Sequence, residues 1–431
     1  MKRVYIRTFG CQMNVHDSER MLGVLRQEGY VPVDDPLEAD LIVFNTCSIR
    51  EKAEQKFYSL LGRTKTMKRD NPGLKVAVAG CIAQQQGAGV KARAPYVDYV
   101  IGPQNIDRVG DALLGRKGIF TGDNPELAQK DLPVERDGYV KAWINIMYGC
   151  NNFCSYCVVP YTRGRERSRP ADNIMSEING LAAEGFKEIT LLGQNVNSYR
   201  GEVSFPELLR FINDIEGIER IRFVTSHPKD LEEGLIMAMR DLKKVCEHIH
   251  LPLQSGSDRI LKHMNRKYTF DEYLRKTEGL RKAIPDIAIT TDIIAGFPGE
   301  TEDDHKATVS ALKEIGFDGI YAFKYSSRPM TSAAEMDGHL PDEVKSERLS
   351  EILSLQDRIT GERNRALQNT IQEVLVEGPS ESNPEKMTGR TRTNKIVNIL
   401  PAHHAIPGML LKVRILKGQR HSLEGVAIDG L

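Results

Sequence analysis

The sequence predicts an α/β protein in three successive parts: an N-terminal α/β domain on a parallel sheet, a central partial or full (β/α) barrel, and a small antiparallel C-terminal β-barrel. Three observations predict it. Continuous apolar strands alternate with helical stretches in the N-terminal part, which implies a parallel sheet covered on both faces. The alternation restarts after a break near residue 118 and runs through six strand–helix units, as a barrel or part of one requires. From about Ile371 short strands punctuated by Gly and Pro take over.

The elements follow in order. "KRVYIRTFGC" is a strand, and "DSERMLGVLRQEG" is a helix capped by Asp17 or Ser18 and stopped at Gly29. "DLIVFNTC" is the next strand, after which Ser48 and Glu51 form a capping box for a helix through "EKAEQKFYSLLGRTKTMKR". "LKVAVAGC" is the third strand, with a helix from Ile82. Residues 118–138, rich in Gly, Pro and charge without periodicity, read as a linker between an N-terminal domain (1–117) and a central domain (139–366). The central strands are "AWINIM", "EITLLG", "RIRFVTS", "HIHLPL", "IAITTDIIAG" and "GIYAFKYS", and a long charged helix closes the domain. Residues 367–431 hold the last strands, "QEVLVEG", "MTGRTRTNKIVNIL", "MLLKVRILKG" and "SLEGVAI".

Composition narrows the function. The 431 residues are 40% hydrophobic and 27% charged, and 59 Lys+Arg balance 59 Asp+Glu, so no global field attracts nucleic acid and any RNA site is a local patch. "MKRVYIRTFGC" lacks the apolar core of a signal peptide, and no apolar run reaches the ~18 residues of a membrane helix. A cytoplasmic protein without a membrane partner is expected. In a reducing compartment the seven cysteines are better read as metal ligands or catalysts than as a disulfide framework.

Their spacing supports ligation. In "YGCNNFCSYC", Cys150, Cys154 and Cys157 follow a strand as C-x3-C-x2-C. Three thiolates on one loop can hold three irons of a 4Fe-4S cluster and leave the fourth iron open to a small ligand. A zinc site more often uses two C-x2-C pairs, and no second pair is present. Cys11, Cys47 and Cys81 each end a strand of the N-terminal domain and each precede a helix, where thiolate is favoured. In a parallel sheet those ends share the edge at which ligands bind. One such cysteine is ordinarily a small core residue, but three at equivalent ends read as a second cluster site. Cys246 has no partner pattern and reads as structural.

The C-x3-C-x2-C loop after the first strand of a βα array closely resembles that of the radical S-adenosylmethionine (SAM) enzymes. The two trios together, with a C-terminal barrel that looks like a TRAM domain, are similar to the methylthiotransferase family over nearly the whole chain. "TFGCQMN" and "CVVPYTRGRERSRP" look like its MiaB-type, tRNA-modifying branch. The resemblance implies two 4Fe-4S clusters and two SAM, one methylating sulfur carried at the Cys11/Cys47/Cys81 cluster and one cleaved to a radical at the other. It implies methylthiolation of carbon 2 of isopentenyladenosine at tRNA position 37, beside the anticodon. It further implies the anticodon stem-loop, an electron donor and a sulfur donor as partners. SAM contacts fall on polar strand ends: Gln194, Asn195 and Asn197; Ser226 (beside His227); Gln254 (beside Ser255); and Asp292 and Gly296. Any one of these is also ordinary turn chemistry.

RNA contacts are expected at Arg163, Arg165 and Arg167, with Arg169 nearby, and at Arg390, Arg392 and Lys395 on a C-terminal hairpin. The first group can equally be a loop paired to local acids, and the basic helix end around Lys65 needs no ligand. Other readings remain open. A sibling enzyme would act on threonylcarbamoyladenosine in tRNA or on a ribosomal protein. A zinc RNA-binding protein would lack catalysis, and an N-terminal cluster used only as an electron relay would carry no sulfur.

Overall fold

Strand β1 (Lys2–Thr8) leads through helix α1 (Gln12–Gln27) to β2 (Tyr30–Pro32), and β3 (Leu41–Thr46) through α2 (Glu51–Asp70) to β4 (Lys75–Gly80). Then come α3 (Cys81–Gln86), α4 (Ala88–Arg93), β5 (Tyr99–Ile101) and β6 (Gly118–Phe120). All six strands pair in parallel in the order β2-β1-β3-β4-β5-β6. The computed structural model describes residues 1–48, 51–111, 118–136, 138–381, 383–401 and 405–428, and the side chains of 51–53 lie outside it. The Ser48–Glu51 capping box therefore falls outside the described residues.

The apolar run of β3 is buried on both faces, as its sequence predicts. Leu41 and Val43 pack with Met21 and Leu25 of α1, whereas Ile42 and Phe44 pack with Phe57 and Leu61 of α2. Phe57 meets the rings of Phe9 and Phe44 at 6.1 and 5.9 Å, each pair contributing about 1 kcal/mol. These contacts fix the ends of β1 and β3, where Cys11 and Cys47 follow.

Two expectations change here. Helix α1 is capped by Cys11, not by Asp17 or Ser18. Its first turns carry Asn14, Asp17 and Ser18 buried against the sheet edge, so a polar stretch that reads as a cap is the inner face of the helix. The segment 118–138 is not a plain linker either. It opens as β6, and its later part lies along α1, with the Glu135 amide on the Glu19 carbonyl and Arg26 paired to Glu135 at 2.8 Å.

The central domain begins with β7 (Lys141–Asn145) and β8 (Met147–Tyr148), then α5 (Val159–Thr162), β9 (Arg167–Ser168) and α6 (Ala171–Ala183). It continues with β10 (Glu188–Leu192), α7 (Phe205–Asn213), β11 (Arg220–Phe223), α8 (Glu233–Asp241), β12 (His248–His250), α9 (Asp258–His263) and α10 (Phe270–Ala283). Strand β13 (Ala288–Ala295), α11 (Glu302–Ile315), β14 (Gly319–Lys324) and the long α12 (Asp342–Ala366) complete it. Two parallel sheets, β7-β10-β11 and β12-β13-β14, join through the parallel Ile221–Val245 bridge. The result is a six-stranded partial barrel, with no pairing between β14 and β7 among the described residues. Ile144, Ile189, Leu191, Ile221, Ile289 and Ile293 point outward into the core under the helices. Strand alternation then turns Trp143, Thr190, His250, Thr290 and Asp292 into the lumen.

Strands β15 (Ile371–Ser380), β16 (Asn383–Thr391), β17 (Ile396–Ile399), β18 (Leu410–Gly418) and β19 (Leu423–Ala427) close a five-stranded barrel around Val374, Val397, Ile399, Val413 and Ile415. It docks against the N-terminal ends of the central strands. Arg220 donates to the carbonyls of Arg390 and Glu373, and Arg222 to those of Thr391 and Arg392. No described helix is long and apolar enough to cross a membrane.

Candidate functional site

The N-terminal trio stands on three adjacent strands. Thr8 pairs with Asn45, and Thr46 with Gly80, so β1, β3 and β4 end level and deliver Cys11, Cys47 and Cys81 to one edge. That edge lies where the strand order reverses, the usual ligand crevice of an open α/β sheet. Gly10 and Gly80 make the turns, with φ of +115° and +89°. A Cβ on Gly80 would stand 2.4 Å from the Thr46 carbonyl oxygen. Asn14 staples the edge: its amide donates to the carbonyls of Phe9 and Thr46, both at 2.9 Å, and the Cys11 thiol lies 3.7 Å from its Oδ1.

The second trio sits on the loop between β8 and α5, at the C-terminal end of β7. Gly149 (φ +67°) presses against the Arg165 carbonyl, which a Cβ would approach to 2.1 Å. The Cys150 amide donates to Gly164, and the Cys157 amide to Cys154. The last residue of α9 and those after it clamp the loop from the far side. The Ser155 hydroxyl donates to the His263 carbonyl at 2.8 Å, the Asn265 amide to Phe153 at 2.8 Å, and buried Arg266 to the Cys154 Sγ at 3.4 Å. Burial pushes the Cys150 thiol up to about 11 and the Cys157 thiol up to about 12, and each thiol feels its neighbours. Such thiols ionise on binding a metal.

Three soft donors on a tight loop, fixed by a cation, fit a cluster that binds one cysteine per iron. Among the described residues no group of three or more His, Cys, Asp or Glu side chains gathers around a single-ion site.

Of the residues expected to hold SAM, three present buried polar atoms with no hydrogen-bond partner: Asn195 Oδ1, Ser226 Oγ and Gln254 Oε1. An unpaired buried acceptor costs about 1–3 kcal/mol, so three at neighbouring strand ends suit a polar ligand. Asn197 differs, because its amide is saturated within the protein by the His227 carbonyl and amide. The Gly296 amide is taken by Glu300 at 3.0 Å, with Lys345 packed where a Cβ would go. Gln194 is half-buried. Asp292 faces the lumen 3.3 Å from His250, whose Nδ1 meets Thr290 at 3.1 Å. His227 is buried and held down to about 2, so its ring stays neutral.

The expected RNA contacts need correction. Arg163 is buried, bound to Asp17 at 2.7 Å and to Asn14 at 3.0 Å. Arg167 takes Asp123 with two bonds of 2.8 Å, and Arg169 pairs with Asp131 and Glu177. These arginines clasp the N-terminal domain to the central one, and only Arg165, stacked over Phe153 at 4.5 Å, stays exposed. The hairpin set is half-buried and paired within the protein: Arg390 with Glu377, Arg392 with Glu247 and Lys395 with Asp318. Their partners are acids at the domain junction, which sequence spacing does not reveal. Lys65 is exposed on α2, and Cys246 is buried at the β11–β12 seam.

Arg266 and Asn14 are the residues that sequence reasoning missed. Asn14 stands three positions after Cys11 on the same helix, a signal that was available. Arg266 follows a helix end more than a hundred residues from its cysteine, and no local pattern marks it.

Comparison with known proteins agrees with this architecture. Residues 3–102 match the Uncharacterized protein family UPF0004, 144–312 the Radical SAM superfamily and 365–428 the TRAM domain. The chain is 58% identical over 431 residues to the tRNA-2-methylthio-N(6)-dimethylallyladenosine synthase of Thermodesulfovibrio yellowstonii, covering 99% of each. It is 50% identical to the synthase of the same name in Syntrophus aciditrophicus, covering 98% of this chain and 94% of that one. Among solved structures, the radical S-adenosylmethionine methyltransferase TsrM from Kitasatospora setae, with cobalamin and a [4Fe-4S] cluster bound, shares the fold. Its TM-score is 0.59 at 16% identity, over 78% of this chain and 77% of that one.

Fold and cysteine loop thus define a radical SAM enzyme, a class that works with SAM and a 4Fe-4S cluster. Within that class the chain belongs to the MiaB-type tRNA methylthiotransferase family.

Proposed function

We propose that the chain transfers a methylthio group to carbon 2 of N6-isopentenyladenosine at position 37 of tRNA, using two SAM and two 4Fe-4S clusters. The anticodon stem-loop is its macromolecular partner, and an external electron donor and sulfur donor complete the cycle. The observation that carries the reading is the packing, across the domain junction, of the helices that flank the two cysteine trios. Helix α3, which opens with Cys81, packs against α5, which follows Cys157 directly.

When bound, the cluster at Cys150, Cys154 and Cys157 supplies the electron that cleaves SAM, and the cluster at Cys11, Cys47 and Cys81 supplies sulfur. The rest is work for the chain. Arg266 holds Cys154 in place and lends positive charge to its thiolate. Asn195, Ser226 and Gln254 offer their unpaired atoms to SAM. The base enters the lumen past the exposed Tyr321, and His250 and Asp292 meet it with polar atoms. The Arg163, Arg167 and Arg169 clasp holds the central domain against the N-terminal one. RNA backbone contacts move to the outer face of β18, where Lys412, Arg414 and Lys417 are exposed, and to Arg165.

Anaerobic reconstitution tests the ligand assignment. The full chain is expected to be brown and to hold about eight irons, and Cys47→Ala about four. Four irons in both would remove the N-terminal cluster from the account.

A further inference from the structure

Arg163 belongs to the central domain by sequence and to the N-terminal domain by contact. It follows α5, six residues after Cys157. Its side chain is 4% exposed and ends on helix α1, which Cys11 caps. One nitrogen donates to Asp17 Oδ2 at 2.7 Å and to Asn14 Oδ1 at 3.0 Å. The same Asn14 Oδ1 lies 3.7 Å from the Cys11 thiol, which sets the guanidinium one atom away from that cysteine, and its charge offsets part of the rise that burial imposes on the Cys81 thiol.

The geometry is economical in chain length. The turn of α5 and its two flanking residues, Val158 and Arg163, which are also in the right-handed helical region, span about 9 Å between Cys157 and Arg163. A single short segment therefore bears a ligand of one trio at one end and a cation on the other trio at its far end. A guanidinium buried this deeply is costly to desolvate, and one carboxylate compensates it only in part. Thiolates carrying cluster charge would complete the compensation. Asp17 Oδ1 has no hydrogen-bond partner, so the carboxylate is committed to Arg163 through one oxygen alone.

We propose that Arg163 is a positioning residue that fixes the distance between the two cluster sites and, through its charge beside Cys81 and Cys11, raises the reduction potential of the N-terminal cluster. A buried positive charge stabilises the reduced, more negative cluster, and the fork ties that effect to a single arrangement of the two domains. The inference rests on reading Cys11, Cys47 and Cys81 as cluster ligands.

The test uses the full chain carrying Cys150→Ala, Cys154→Ala and Cys157→Ala, reconstituted anaerobically with ferrous iron and sulfide, so that only the N-terminal cluster is present. Potentiometric titration is followed by electron paramagnetic resonance. Arg163→Met is expected to lower the potential, and Arg163→Lys, which keeps the charge and gives up the fork, to restore most of it. With the other cysteines intact, the ratio of methylthio product to SAM cleaved is expected to fall at least tenfold in Arg163→Met and to stay reduced in Arg163→Lys. A methionine variant with the parental potential, or a lysine variant with the parental product ratio, overturns the proposal. If the methionine variant does not fold, the lysine ratio alone decides. If the parent with its three alanines binds no iron, the reading of the cluster site has failed; if it binds iron and the Arg163 variants change nothing, this inference alone has failed.

Discussion

Gly10 lies against Cys47: a Cβ added to Gly10 would stand 2.5 Å from the Cys47 Cβ and 2.9 Å from its Sγ. The loop that delivers Cys11 thus closes directly onto the second cysteine of the trio, with the backbone of Gly10 at φ +115°. Gly10→Ala imposes both strain and overlap, a local cost of about 3 kcal/mol. It is expected to lose the N-terminal cluster and the methylthio product while the chain still folds and still cleaves SAM. Iron counting with a SAM-cleavage assay checks this. Gly29→Ala, at a positive φ with nothing within 4 Å of its added Cβ, is the control for backbone strain alone.

Asp304 links the loop after β12 to helix α11. Its carboxylate accepts from Ser257 at 2.6 Å, from the Thr301 hydroxyl at 2.6 Å and amide at 2.8 Å, and from Arg259. Burial opposes its charge, but these donors outweigh burial and hold the carboxyl below the usual range. A depressed folded pKa adds stability above the unfolded value of about 3.9, and that stability is lost as pH falls through the folded value. Asp304→Asn is therefore expected to cost about 2 kcal/mol at pH 7. The gap in thermal midpoint between variant and parent should narrow as the pH is lowered below about 4. A gap that is constant with pH would mean that the carboxylate charge plays no part.

On the C-terminal barrel, Lys412 and Arg414 project outward from β18 and are exposed. If they neutralise phosphates, Lys412→Gln with Arg414→Gln should weaken tRNA binding and reduce the slope of log K against log salt by about 2. Lys395→Gln, whose side chain is committed to Asp318 and Asn364, should leave that slope unchanged. The reverse result would return RNA binding to the hairpin.

The layered fold is legible in the sequence because apolar periodicity records burial directly. The two-sided burial of Leu41 to Phe44 is readable as a continuous apolar run. The placement of Cys11, Cys47 and Cys81 is legible for the same reason, since each stands where a strand pattern ends. A further signal was present and unused: Gly-Cys occurs at 10–11, 80–81 and 149–150, and each glycine adopts a positive φ. What the sequence hides is the destination of charge. Arg163, Arg167, Arg392 and Lys395 look alike as exposed cations until the domains meet, because their acidic partners lie far away in the chain. Arg222, buried beside Glu188 at 2.9 Å and holding the hairpin backbone, is hidden in the same way within an apolar strand.

If Cys47 helps to carry sulfur to isopentenylated adenosine in tRNA, the methylthio-nucleoside content of tRNA shows it most directly. In a strain lacking this gene, the methylthio-isopentenyladenosine peak should vanish and the unmodified isopentenyladenosine peak should rise. The parent gene should restore the peak, and Cys47→Ala should not, although the purified variant still cleaves SAM. A normal peak in the strain lacking the gene, or full restoration by Cys47→Ala, would contradict the account.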